Sequence, residues 1–223
     1  DFVSPFSERE VPVPGGSETD ALVLCTSESG GMCLRKKEGG ELVRHLVGWR
    51  DPGAPLHVSR DGLFAWSLAR LTPVEDENLP GSGGPSLRRW DLSSGVYETI
   101  FHFDESPDSF SISPDNRYAA CIWRKDGLFS VLNLPFFSSV TNLLQGIYGG
   151  TVESVLFAQD CRRLLFSLSG EGKSLIKVYE VKDGDIDDGD MNEESVVEIK
   201  QLPGSGRLFS VPDERYVISS DPP

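Results

Sequence analysis

The chain has no long hydrophobic run: no stretch approaches the ~20 consecutive apolar residues that a spanning helix requires. Positive charge is scarce, with 21 Lys and Arg against 35 Asp and Glu, a formal net charge of -14. Phosphate backbones are bound by a positive footprint, so nucleic acid is excluded as the main partner. The densest basic cluster, Arg35, Lys36 and Lys37, reads as a solvated strand edge. Cysteine is sparse: Cys25, Cys33, Cys121 and Cys161 form no C-x-x-C pair, so no zinc site is expected. All four read as buried free thiols of a reducing compartment, although Cys25 and Cys33 face each other across a hairpin centred near Ser29, which would permit a disulfide under oxidising conditions. Residues 1–20 show no basic region followed by an apolar core, hence no secretory signal, and the expected location is intracellular, cytoplasmic or nuclear. Helical periodicity is absent throughout, which leaves an all-β chain.

What is present is repetition. Phe110 to Trp123 (FSISPDNRYAACIW) reads as two short strands around a tight turn, with alternating apolar residues, turn chemistry at Ser113-Pro114-Asp115-Asn116, and a second apolar run. The phrase recurs at Leu56 to Leu68, Val155 to Leu168 and Leu208 to Ser219. Its aspartates are Asp61, Asp115, Asp160 and Asp213, spaced 54, 45 and 53 residues apart. A hairpin phrase at such a period marks a propeller or a similar array.

The strands group into units. Residues 1–20, rich in proline and glycine, read as an extended N-terminal arm. Repeat units follow at about 21–47, 56–101, 109–144, 152–200 and 207–220, with three, four, four, four and two strands. Segment 135–144 fits a fourth strand or a short helical turn equally. Two insertions interrupt the pattern: Leu71 to Pro85, and the acidic stretch Lys182 to Glu194.

The turns, together with the third-strand endings Trp90-Asp91-Leu92, Leu132-Asn133-Leu134 and Tyr179-Glu180-Val181, make residues 21–223 resemble a WD-repeat-like β-propeller. Only Trp90-Asp91 is the literal dipeptide, and the Gly-His dipeptide typical of that family is absent, so the repeats are degenerate. SPDNRY and VPDERY equally resemble the propellers of TolB-like proteins and prolyl-peptidase-type enzymes. The resemblance implies four-stranded antiparallel blades around a channel, about four of them in this chain. Most such rings have more blades, commonly seven. Either this is a small closed ring or further blades lie outside the chain; the absence of an initiator Met and the stop after a second strand favour the latter.

Several constellations suggest chemistry and are outweighed. The four turn aspartates sit at one position of each repeat, so they spread around a face and read as structural turn residues. Ser169 to Ser174 (SGEGKS) ends like a phosphate loop, but the required earlier Gly is Ser167 and the loop joins two strands. Asp183, Asp185, Asp187 and Glu194 match places one, three, five and twelve of a calcium loop, yet Asp188 stands where Gly is needed, so the stretch reads as a solvated acidic loop. His45, His57 and His102 are far apart, and no G-x-S-x-G elbow exists. No catalytic, cofactor or metal residue is expected.

The function expected is therefore a non-catalytic scaffold that binds a protein or peptide. Its candidate partner-binding loops are Leu71, Val74, Glu75, Asp76, Glu77 and Leu79, with Arg124, Lys125 and Asp126 on the same face. Trp49 and Trp123 are candidate anchors, and the negative charge favours a basic partner. The alternative is a substrate-gating propeller domain of a prolyl-peptidase-like or TolB-like protein.

Overall fold

Glycine, proline and Asp/Asn turns cut the chain into segments of three to nine residues, too short for helices but sufficient for strands. The computed structural model describes residues 7–11, 21–26, 31–48, 54–69, 84–125, 127–134, 138–142, 151–170, 173–181, 196–203, 207–210 and 216–219. Among them are eighteen strands and no helix, so the chain is all-β. It divides into two compact units, Asp1–Ser106 and Pro107–Pro223.

The first unit holds two four-stranded antiparallel meanders. One runs β1 (Ser7–Val11), β2 (Leu22–Thr26), β3 (Met32–Lys36), β4 (Leu42–Leu46); the other runs β5 (Leu56–Val58), β6 (Phe64–Ala69), β7 (Ser86–Asp91), β8 (Tyr97–His102). Part of the expected N-terminal arm is thus a strand: Ser7–Val11 pairs with β2, Glu8 opposite Cys25. Ser-Glu-Arg-Glu-Val has no apolar alternation, so only its backbone pairing reveals it.

The core of this unit joins the two sheets. Leu24, Met32, Leu34 and Leu46 of the first meet Ala65, Trp90 and Leu92 of the second. Trp90 is fully buried, and its indole N–H donates to the Val47 carbonyl at 2.9 Å, which satisfies the polar end of a ring that contributes roughly 2–3 kcal/mol of burial. A Cβ on Gly95 would stand 2.8 Å from the His45 carbonyl oxygen, so only glycine permits this approach of β4 to the β7–β8 turn.

The second unit repeats the meander twice, as β9 (Ser109–Ile112), β10 (Tyr118–Trp123), β11 (Leu128–Asn133), β12 (Ser138–Asn142), then β13 (Thr151–Phe157), β14 (Arg163–Gly170), β15 (Lys173–Val181), β16 (Val196–Pro203). A hairpin follows, β17 (Arg207–Ser210) and β18 (Tyr216–Ser219). The ambiguous segment near residue 140 is the strand β12. The β13–β16 sheet buries both faces. Leu164, Phe166, Leu168 and Tyr179 pack against Tyr118, Ile122, Phe129 and Val131, while Leu165, Ile176 and Val178 pack with Leu208 of the hairpin. That explains the unbroken apolar run Leu164-Leu165-Phe166, where a half-buried strand would alternate.

Two features bind the repeats. In each four-stranded sheet the register slips between third and fourth strands, and the fourth strand carries one extra residue: Val43, Ile100, Thr141 and Ile199. Each of these is β-branched. Such a bulge bends the outer strand and increases its twist. Inside the second unit the opening strands lie side by side, β13 against β9 and β17 against β13. Hydroxyls bridge them: Phe157 N–H donates to Ser111 Oγ at 3.1 Å, and Leu208 N–H donates to Ser154 Oγ at 3.2 Å.

Candidate functional site

The turn aspartates act on their own backbone. Asp61 Oδ1 accepts from the Leu63 amide at 3.0 Å and the Ser59 hydroxyl at 2.5 Å, while Ser59 Oγ accepts from the Phe64 amide at 2.9 Å. Asp115 repeats this with Arg117 N at 3.1 Å and Ser113 Oγ at 2.6 Å, and Ser113 Oγ accepts from Tyr118 N at 2.9 Å. In the third turn Ala158 stands where the serine was, and Asp160 instead takes the amides of Arg162 and Arg163 at 3.0 and 2.9 Å and pairs with the Arg163 guanidinium. Burial works against the charge of Asp160, but these donors outweigh it and hold its carboxyl below the usual carboxylate range. Each carboxylate caps its own turn, and Asp115 also lies against Cys161 of the next turn, whose thiol is pushed up by burial and then by this carboxylate. Asp213 lies outside the described residues.

The residue after each aspartate is left-handed: Gly62 at φ 68°, Asn116 at 59° and Cys161 at 61°. The third-strand aspartate works likewise. Asp91 accepts from Ser93 Oγ at 2.6 Å, Ser93 N at 2.7 Å and Ser94 N at 3.1 Å, and the Ser93 hydroxyl bond above all holds its pKa below the ordinary value. The Trp-Asp pair therefore divides its labour, the indole bridging two sheets and the carboxylate closing the β7–β8 turn.

The expected partner loop fares differently in its two halves. Leu71, Val74, Glu75, Asp76, Glu77 and Leu79 lie outside the described residues, as do Asp126, Trp49 and the acidic stretch from Asp183 to Glu194. Arg124 is exposed but engaged: its amide donates to Asp108 Oδ2 at 2.7 Å, and its guanidinium reaches the Glu153 carbonyl of β13 at 2.7 Å. It ties the β9–β12 sheet to β13, and Lys125 beside it is exposed in the turn. Trp123 is half-buried. The SGEGKS stretch joins β14, ending at Gly170, to β15, beginning at Lys173. His45 and His102 fall in β4 and β8, His57 in β5.

Residue spacing gave no sign of two clusters. Lys177 is buried in β15 and pairs with Glu198 at 3.0 Å, and Tyr179 donates to the same carboxylate at 3.2 Å. Burial, reinforced by Glu198, pushes the Tyr179 phenol far up, so it stays a neutral donor. The second is a set of exposed apolar residues on neighbouring segments: Val47, Leu63 and Val96 are 60%, 51% and 55% accessible. Backbone bonds hold them at one end of the first unit, Val47 N to Gly95 O at 2.7 Å and Leu92 N to Leu63 O at 2.9 Å. Among the described residues no group of three or more His, Cys, Asp or Glu is placed to hold a metal ion, and no helix is long and apolar enough to cross a membrane.

No protein family and no curated protein matches the sequence. The fold is similar to hydrazine synthase of Kuenenia stuttgartiensis, with a TM-score of 0.56 and 14% identity over 89% of this chain and 51% of that one. The chain thus spans about half the length of that solved neighbour. Similar solved chains number 864, and an architecture so widely shared specifies no activity by itself.

Proposed function

We propose that the chain supplies blades of a WD-like β-propeller and acts as a non-catalytic scaffold for a protein or peptide partner. The propeller reading is supported by consecutive four-stranded meanders, by the same outer-strand bulge in each, and by opening strands set side by side within the second unit. Further blades, from a longer chain or another subunit, belong to this reading, because rings of this type commonly carry more than four. Exposed Val47, Leu63 and Val96 carry the scaffold reading, because apolar side chains grouped on a backbone-fixed edge suit docking better than chemistry. With a net charge of -14, the partner that fits is a basic segment bearing apolar anchors, and the location is intracellular.

A peptide-display selection on the chain tests this. Enriched peptides should be basic with apolar anchors, bind at least tenfold more weakly to Val96→Asp, and associate more slowly as salt rises. Enrichment of acidic peptides, or binding untouched by both Val96→Asp and Val47→Asp, would overturn the reading.

The second reading, a gating domain within a prolyl-peptidase-like or TolB-like protein, draws support from the fold shared with a longer chain of an enzyme. A hydrolase domain encoded in the same reading frame would decide for it.

A further inference from the structure

Cys25 and Cys33 are direct partners across the β2–β3 ladder. Opposed residues of an antiparallel pair share a face, with Cβ atoms about 4.5–5.5 Å apart. The Lys37 amide bonds the Ala21 carbonyl at 2.8 Å, which sets the phase of the ladder. Counting alternate rungs from there makes Cys25 and Cys33 a hydrogen-bonded pair, whose Cα separation of about 5.5 Å falls within the span a disulfide bridges, while the Cβ atoms must draw together by about 1 Å to form the bond. Neither is in a disulfide, both are buried in a small cluster with Val23, and the Cys25 thiol donates to the Val23 carbonyl at 3.9 Å. They lie one rung from the end of the ladder, where Thr26 opposite Met32 closes it, on the two central strands of the sheet, so an oxidant reaches them through local opening of that end. The remaining cysteines lack this arrangement. Cys121 is fully buried, and desolvation pushes its thiol far up; Cys161 occupies a turn.

We propose that Cys25 and Cys33 are a reversible redox modification site, a cross-strand dithiol oxidised by a low-molecular-weight disulfide such as glutathione disulfide. One thiol releases its proton to solvent, and its thiolate attacks a sulfur of glutathione disulfide, expelling one glutathione as thiolate. The second cysteine, deprotonated in turn, attacks the mixed disulfide at the protein sulfur and expels the second glutathione. Two protein thiols are oxidised, one disulfide is reduced, and both protons leave with the glutathione products. The bond closes a short hairpin loop and ties β2 to β3. The inference is independent of the scaffold reading.

The test titrates the native full chain with mixtures of oxidised and reduced glutathione, then alkylates free thiols and maps peptides without reduction. Two of the four thiols should disappear together as a Cys25–Cys33 link, dithiothreitol should restore them, and the oxidised chain should melt a few degrees higher. Cys25→Ala should instead accumulate a stable glutathione adduct at Cys33. Four thiols still alkylated after excess oxidant in a chain with an intact melt would overturn the proposal. So would a link that forms only after denaturation, or any pairing that involves Cys121 or Cys161.

Discussion

At the scale of single residues, the position following each described turn aspartate is conformationally constrained. It needs a positive φ and is filled by Gly62, Asn116 and Cys161 in turn. Glycine meets that demand without steric cost and asparagine tolerates it, whereas a cysteine is held in a region that disfavours side chains. Cys161→Gly should therefore stabilise the chain by about 0.5–1 kcal/mol, and Gly62→Ala should destabilise it by about 1 kcal/mol, each read from a urea midpoint. The carboxylates add a pH dependence of known sign. Asp91 and Asp160 are held below their ordinary values, so their stabilisation is complete above the unfolded value of about 4 and fades as pH falls through the folded ones. Asp91→Asn should flatten the acid limb of a stability–pH profile and leave the curve above pH ~6 parallel to that of the parent. The turns were readable because Asp, Asn, Gly and Pro declare them; the serine partners Ser59 and Ser113 stood in the same phrase, and only their burial and bonds reveal them as part of the cap.

At the scale of strands and sheets, the second unit is organised around an aromatic triangle. Phe129, Phe166 and Tyr179 stand 4.5, 5.7 and 5.4 Å apart between ring centroids, the last pair edge to face. Phe129 and Phe166 are fully buried, so Phe166→Ala should cost about 3–5 kcal/mol, enough to shift a thermal melt by ten degrees or more. Glu198→Gln should cost less than Glu198→Leu, because the amide oxygen still accepts from Lys177 and Tyr179 whereas leucine leaves a buried ammonium without its acceptor; paired urea melts decide. Strand positions were legible from apolar runs broken by turn residues, and β12 was ambiguous because Ser138-Ser139-Val140-Thr141-Asn142 favours no period. The pairing of Lys177 with Glu198 was not legible. Twenty-one residues and an acidic stretch separate them, and only the β15–β16 register brings them together.

For the whole chain, charge and repetition were visible in the sequence, but partner chemistry was not. The two candidate loops are unequal: Arg124 already has the Glu153 carbonyl as its partner, so Arg124→Ala should loosen the β9–β13 contact and lower stability by about 1 kcal/mol in a urea melt before it affects any partner. Val47, Leu63 and Val96 escaped notice because each is an ordinary strand-end residue, and their grouping depends on bonds between segments up to 48 positions apart.

The extra residue in every fourth strand has a consequence beyond geometry. An array built from near-identical meanders is exposed to polymerisation, since any flat outer strand can recruit the outer strand of another molecule. Val43, Ile100, Thr141 and Ile199 each break that template by interrupting the even spacing of backbone donors and acceptors. Four insertions, one in each described fourth strand, therefore blunt the edges through which these meanders could otherwise pair with the strands of another molecule.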